Sequence, residues 1–179
     1  MRTNEDTAPQ SARHLAARAV MAYRAGFPID SISLSDSVAA QSGIACDWKQ
    51  LRAQHSNDLK LLQRAFAFIF IGTIIDQELI QPISEDLRKT LDAEISSAFE
   101  ARETAVEWGL ASNVGETNPF AHTGYKLASR VLKTDRAFID ALTNELSARK
   151  TMNHDQLRVW LDHNASPIEF DELERSWGF

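Results

Sequence analysis

The segment "RAFAFIFIGTII", from Arg64 to Ile75, is the most apolar stretch of the chain and decides the fold class. A membrane-spanning helix needs about 20 apolar residues, and Arg64 and Asp76 bracket only eleven uncharged positions. The preceding "NDLKLLQRAF" places apolar side chains at helical spacing, and the following "DQELI" again contains good helix formers. The sequence therefore predicts one core helix from about Asn57 to Ile80, ended by a proline and surrounded by other helices.

Helical spacing also accounts for most of the remaining chain. A first helix is predicted from about Pro9 to Ala25, because the following residue, Gly26, is a typical C-terminal stop. In the last third of the chain, Asn153 and Gln156 have the three-residue spacing of a capping box, which predicts a helix beginning there. No segment shows sustained two-residue alternation of apolar residues. The predicted fold class is therefore all-α.

Two further helices and two loops complete this plan. The segment "ISEDLRKTLDAEISSAFEARETAVEWGL" predicts a long amphipathic helix over residues 83–110. Another helix is predicted to start at Thr134 and to bury Phe138, Leu142 and Leu146. Loops are predicted over residues 27–36, "FPIDSISLSD", and over residues 111–120, "ASNVGETNPF", where an Asn-Pro pair indicates a turn.

Composition limits the functions that this chain can have. Its 179 residues are 44% hydrophobic and 25% charged, with a formal charge of −6, which excludes a protein coated in basic residues but not a local basic surface. The single cysteine, Cys46, forms no internal disulfide and fits a reducing cytoplasm. The N-terminus lacks the continuous apolar segment of a secretory signal. The five histidines form no HxxxH or ExxH pair, so we expect no metal site and no cofactor.

Two short predicted helices, over residues 35–42 and 47–54, precede the core helix. Between them, "VAAQSGI" places Ala39 four residues before Gly43, with Val38 and Ile44 as apolar neighbours. In a helix-turn-helix, a small residue lets the second helix approach closely, and a glycine forms the turn. This order of elements is typical of a helix-turn-helix DNA-binding domain.

With the preceding "AVMAYRAGF" and the following "NDLKLL", this region resembles the N-terminal domain of TetR-type transcriptional repressors over about residues 12–62. In that family, an "IAxxAGVS"-like turn is followed, after a fixed interval, by an acidic pair and a leucine that opens the fourth helix. The interval from Gly43 to Leu59 matches. The chain departs from the family pattern at Gln50, Ala53 and Ser56, where Tyr, Phe and Lys are usual.

The resemblance implies a two-domain, all-helical homodimer that is not an enzyme. Residues 1–56 would form a three-helix, helix-turn-helix-like domain that binds a duplex DNA operator, and residues 57–179 a helical bundle for ligand binding and dimerisation. Its recognition helix would present Lys49, Gln50, Arg52 and Gln54. Glutamine reads adenine edges, while lysine and arginine contact guanine or phosphate. The plain alternative for these side chains is a solvated helix face.

The implied effector is a small apolar molecule, and the sequence offers aromatic and polar residues that could line its pocket. The predicted lining is Phe66, Phe70, Phe99, Trp108, His122 and Tyr125. The plain alternative is that the aromatic residues are core and the last two are helix-start residues. The candidate dimer contact consists of large apolar residues near the C-terminus: Trp160, Phe170, Leu173 and Trp177. Packing of these residues onto the core of their own chain is the alternative.

Two other functions remain open. The negative charge and the departures in the recognition helix favour an all-α partner-binding protein, immunity-like or antitoxin-like, that does not bind DNA. In "RVWLDH", Arg158 and His163 also resemble the R-φ-xxx-H motif of HEPN-fold ribonucleases. There the histidine would act as general base and the arginine would stabilise phosphorane charge. A surface arginine and a helix-terminal histidine that complements the helix dipole are the plain interpretation.

Overall fold

The computed structural model describes residues 7–29, 31–34, 53, 59–80, 102–103, 105–107, 109, 111–165 and 175. Three predicted helices lie wholly or mostly outside these residues: 35–42, all of 47–54 except Ala53, and most of 83–110. The C-terminal residues Phe170, Leu173 and Trp177 also lie outside them. In the described part, helices dominate, and the strands form one small two-stranded sheet. The all-α fold class is confirmed, while the helix-turn-helix and bundle arrangement stays a prediction.

The elements of the described part, numbered here in chain order, are α-helices, two short strands and a 3₁₀ helix, Val114–Thr117. They are α1 (Thr7–Ala25), β1 (Ser31–Ser33), α2 (Leu59–Ile80), α3 (Asn118–Thr134), α4 (Arg136–Arg149), β2 (Thr151–Asn153) and α5 (His154–Asn164). No helix in the described part of the chain is both long and apolar enough to cross a bilayer.

The chain divides into two compact units, and the first is built from both ends of the sequence. It comprises residues 1–46 and 134–179, whereas the second comprises residues 47–133. In the first unit, α1 packs along α4, and β1 pairs antiparallel with β2 so that Ile32 lies opposite Met152. This partition describes packing. The functional division into residues 1–56 and 57–179 stays a prediction.

Many of the buried side chains of helix α1 are small. Five of its alanines have exposed fractions of 0–1%: Ala12, Ala16, Ala17, Ala19 and Ala22. Because helix separation depends on the side chains at the contact, alanines allow α4 to approach α1 closely. The predicted first helix is thus confirmed, and small side chains make up much of its buried surface.

Helix α1 ends where the sequence predicted, at a glycine. Gly26 has φ +74°, a left-handed conformation that favours glycine. The amide of Phe27 donates to the carbonyl of Ala22 at 2.8 Å, and the amide of Gly26 donates to that of Tyr23 at 3.2 Å. These two bonds form a Schellman motif, which turns the chain sharply away from the helix axis.

Both predicted loops contain regular structure. Residues 27–36 include the strand β1, whose three residues are too few to show an alternating pattern in sequence. Within residues 111–120, a 3₁₀ helix is followed directly by α3, which begins at Asn118. Pro119 therefore lies in the first turn of a helix, where the missing amide costs nothing. The Asn-Pro pair marks a helix start and not a turn.

The capping box at the start of α5 is confirmed. The Asn153 side-chain oxygen accepts a hydrogen bond from the Gln156 amide at 2.9 Å, and the Gln156 side-chain oxygen accepts one from the Asn153 amide at 3.1 Å. Both bonds satisfy amides that the first helical turn leaves without partners. They fix the residue at which α5 begins and therefore which side chains share each of its faces.

Helix α4 begins two residues later than predicted, at Arg136, with Asp135 as its N-cap. Its buried face is formed by Ile139, Leu142 and Leu146. Phe138, which was predicted to be buried, is half-exposed and stacks on Trp160, with ring centroids 5.4 Å apart. Trp160, a candidate dimer residue, thus packs on an aromatic side chain of its own chain.

The second unit contains the core helix α2. Residues 65–72, eight in succession, are all buried, so the middle of α2 is covered on every side as the sequence predicted. Gly124 of α3 lies directly against Phe66: a Cβ added to this glycine would be 2.6 Å from the Phe66 Cβ. Absence of a side chain at Gly124 is what allows this close approach of the two helices.

Candidate functional site

The structure describes some of the predicted site residues and not others. The predicted DNA contacts Lys49, Gln50, Arg52 and Gln54 lie outside the described residues, as do the predicted pocket residues Phe99 and Trp108. Among the described residues, no group of three His, Cys, Asp or Glu side chains could hold a metal ion.

The described residues of the predicted effector pocket lie in the second unit. Phe66 and Phe70 are buried, with exposed fractions of 1% and 0%. Phe70 meets the half-buried Tyr125 edge to face, with ring centroids 5.6 Å apart. His122 is exposed. The contact between α2 and α3 is closely packed at Gly124, which favours the core interpretation of these aromatics, and their role as a pocket wall stays a prediction.

A cleft of about 420 Å³ lies in the first unit, between the end of α1, the turn that follows it and one face of α5. Its walls combine apolar side chains with four polar ones. The lining consists of Tyr23, Gly26, Phe27, Pro28, Ile29, His154, Leu157, Arg158, Leu161 and Asp162. We call this the α1–α5 cleft.

Local structure explains why these residues meet. His154, Arg158 and Asp162 are four residues apart on α5, so they form one stripe along the helix, and Leu157 and Leu161 lie beside it. The capping box at Asn153 fixes the start of α5 and therefore which side chains lie in this stripe. On the other side, the Schellman motif turns the chain after Tyr23 and carries residues 27–29 across the cleft.

The polar side chains of the cleft are held by specific contacts. The Tyr23 hydroxyl donates a hydrogen bond to Asp162 Oδ1 at 2.8 Å. Arg158 Nε lies 3.7 Å from Asp162 Oδ2, which is an ion pair but longer than a hydrogen bond. His154 Nδ1 lies 2.7 Å from the carbonyl oxygen of Ile29. Because a carbonyl only accepts, Nδ1 carries the proton, and the other ring nitrogen, Nε2, is left for another partner.

The environment of the cleft changes the titration of Tyr23. Burial raises its pKa above the ordinary value of 10.0, and the hydrogen bond to Asp162 and the charge of that carboxylate raise it further. Arg24 and Arg158 act in the opposite direction. The fold therefore favours the neutral phenol, which keeps donating to Asp162.

This raised pKa makes stability depend on pH in alkaline solution. As pH rises, the unfolded chain loses the tyrosine proton first, so the free energy of unfolding should be unaffected below about pH 10 and should fall as pH rises through the folded pKa. Tyr23→Phe should remove this decline, whereas Tyr125→Phe should leave it. Urea unfolding at a series of pH values measures it, and equal declines in both variants would contradict the assignment.

The structure separates the two residues of the ribonuclease-like motif. Arg158 lines the cleft, whereas His163 is exposed in the last turn of α5 and does not line it. Five residues on an uninterrupted helix correspond to about 140° around its axis. A joint action of Arg158 and His163 on one phosphate therefore lacks geometric support, and the position of His163 agrees with a charge that complements the helix dipole.

No sequence motif marks Tyr23, His154 or Asp162 as a site residue. Tyr23 and Asp162 are 139 positions apart, and His154 and Ile29 are 125 positions apart, so no local pattern joins them. The four-residue spacing of His154, Arg158 and Asp162 was the available signal. On a helix of unknown orientation, that spacing is equally typical of a solvated face.

No protein-family model matches the sequence, and curated protein sequences give no significant match. The functional interpretation of the α1–α5 cleft, and of the segment that precedes α2, therefore rests on the residues themselves.

Proposed function

We propose that this protein is a TetR-like, DNA-binding transcriptional regulator that is controlled by a small effector and acts as a homodimer. The observation that carries the proposal is the interval in the sequence between the turn glycine and the leucine of the core helix. In the family pattern, a leucine opens the fourth helix at a fixed interval after the turn glycine. Here the interval runs from Gly43 to Leu59, and Leu59 is the first described residue of α2.

The buried state of α2 also supports the proposal. A recognition helix must be fixed relative to the rest of the protein, because small displacements separate its side chains from the base edges. The buried segment of α2, residues 65–72, is a closely packed helix that follows the predicted DNA-binding domain in the sequence. The formal charge of −6 means that phosphate attraction must come from a local set of cations such as Lys49 and Arg52.

Binding to duplex DNA tests this proposal. Duplexes enriched from a random pool would be titrated by fluorescence anisotropy at several salt concentrations. Lys49→Ala combined with Arg52→Ala should reduce the affinity at least about tenfold and reduce the salt slope by about 2, because each phosphate contact contributes about 1.

The matched control removes the same charges elsewhere. Lys126 and Arg130 are exposed and one turn apart on α3, and Lys126→Ala with Arg130→Ala should leave the affinity nearly unchanged. An equal loss of affinity in both double variants would mean that positive charge anywhere on the protein attracts DNA non-specifically. If the unmodified protein binds no duplex at low salt, the proposal fails and the alternative is favoured: an all-α protein that binds another protein.

That alternative has one structural observation in its favour. Val159 is a large apolar side chain with 69% of its surface exposed, on the helix that also forms the cleft. A contact with another protein would cover it. A single exposed valine is nevertheless common on protein surfaces, so we prefer the regulator, on the interval from Gly43 to Leu59.

A further inference from the structure

We propose that the α1–α5 cleft binds a small apolar molecule that carries one carboxylate, with Arg158 as its anion contact. The site and its ligand class follow from the cleft alone. Only the role of this ligand as the effector rests on the proposed regulator function.

The size and walls of the cleft define the apolar part of the ligand. A volume of about 420 Å³ falls within the range of about 300–1,000 Å³ that is typical of small-molecule sites. Phe27 and Pro28 line one side and Leu157 and Leu161 line the other. Phe27, Leu157 and Leu161 are themselves buried, so the gain would come from the ligand, whose aromatic ring or short hydrocarbon chain would leave water for these apolar walls.

The contacts among the polar side chains define the charge of the ligand. Asp162 already accepts a hydrogen bond from Tyr23 at 2.8 Å, whereas Arg158 is 3.7 Å from the same carboxylate. The Arg158 side chain is 70% exposed, and its Nε is the atom that faces Asp162. The two terminal nitrogens of the guanidinium can therefore hold a carboxylate in the bidentate geometry that arginine favours.

His154 adds a second polar contact at the same side of the cleft. Its Nδ1 is committed to the Ile29 carbonyl, which orients the ring and leaves Nε2 for a ligand. His154 lies one turn before Arg158 on α5, so both side chains lie on the same stripe. With the proton on Nδ1, Nε2 of His154 can accept a hydrogen bond from a donor group of the ligand that lies beside the carboxylate.

Three molecules of nearly equal shape test the ligand class on the full-length protein. Phenylacetate carries the proposed anion, phenylacetamide is neutral, and phenethylamine is cationic. We expect phenylacetate to shift the amide NMR signals of residues 26–29 and 154–162, with a dissociation constant of about 1 mM or below and at least about tenfold below that of phenylacetamide. Phenethylamine should be the weakest of the three.

Two arginine variants separate a specific contact from general charge. Arg158→Gln should abolish the preference for phenylacetate over phenylacetamide. Arg149→Gln is the matched control, because Arg149 also pairs with a carboxylate one turn away, Glu145, but lies on α4 outside the cleft. It should leave the preference unchanged. Both arginines are at least half exposed, so neither substitution threatens folding.

Several results would overturn the inference. One is that phenylacetate shifts no amide signals of the cleft residues. Another is that phenylacetamide binds as tightly as phenylacetate. A third is that Arg149→Gln loses the preference for phenylacetate as Arg158→Gln does. The titration contains no DNA, so failure of the proposed regulator function does not change its result. If phenylacetate binds as expected but does not alter DNA affinity, the ligand site stands and its effector role is excluded.

Discussion

Replacing Asp135 with asparagine should lower the free energy of unfolding by about 3–5 kcal/mol. Arg24 donates two hydrogen bonds to the Asp135 carboxylate, from Nε and from Nη2, each at 2.9 Å. The two side chains are only 4% and 6% exposed. An asparagine at this position would keep the size of the side chain but remove the negative charge that the buried guanidinium contacts. Urea unfolding followed by circular dichroism measures the change.

Two variants show whether the effect comes from the buried charge. Asp140→Asn removes the ion pair between Arg13 and Asp140, which is 3.3 Å long and has a half-exposed carboxylate, and it should cost at most about 1 kcal/mol. Arg24→Met with Asp135→Leu removes both buried charges together. This double variant should lose much less than Asp135→Asn, because both charges of the buried pair are removed together. A loss below about 1 kcal/mol in Asp135→Asn would contradict the interpretation.

Gly124→Ala should destabilise the second unit by about 1–3 kcal/mol, although alanine is the better helix former by about 1 kcal/mol. The new Cβ would lie 2.6 Å from the Phe66 Cβ and 3.1 Å from the Ala67 amide nitrogen. Both neighbours belong to or adjoin the backbone of α2, so they cannot rotate away. The helices would have to separate, and Gly124→Val should cost more. Urea unfolding measures both changes.

The control for this substitution lies on the same helix. Lys126 is exposed, and Lys126→Ala should change the free energy of unfolding by no more than about 0.5 kcal/mol. If Gly124→Ala were neutral or stabilising, the close contact between α2 and α3 would be wrong.

Elements specified by nearby residues were predicted well. Helix α2 required only a run of apolar residues at helical spacing, and the start of α5 required only Asn153 and Gln156, whose side chains and amides satisfy each other locally. Elements that depend on distant partners were missed. Strand β1 exists because β2 pairs with it across 118 or more positions, as in the contact between Ser33 and Thr151.

The candidate site follows the same rule. The sequence motif pairs Arg158 with His163, whereas the neighbours of Arg158 in the cleft are Tyr23 and Asp162. Helical periodicity shows which residues share a face but not which other element that face meets. The buried pair of Arg24 and Asp135 was not predicted either, since its members are 111 positions apart in the sequence.

The assembly of the first unit from both ends of the chain has a consequence for biosynthesis. A ribosome adds about 5–20 residues per second, so α1 emerges roughly 5–20 seconds before α4 can reach it. Most of the stability of a helix in a protein comes from tertiary packing, which α1 lacks until α4 has been made. The second unit occupies consecutive residues 47–133 and can fold while the nascent chain is still growing. Translation therefore favours an order in which the middle of the polypeptide matures first and its N-terminal helix last.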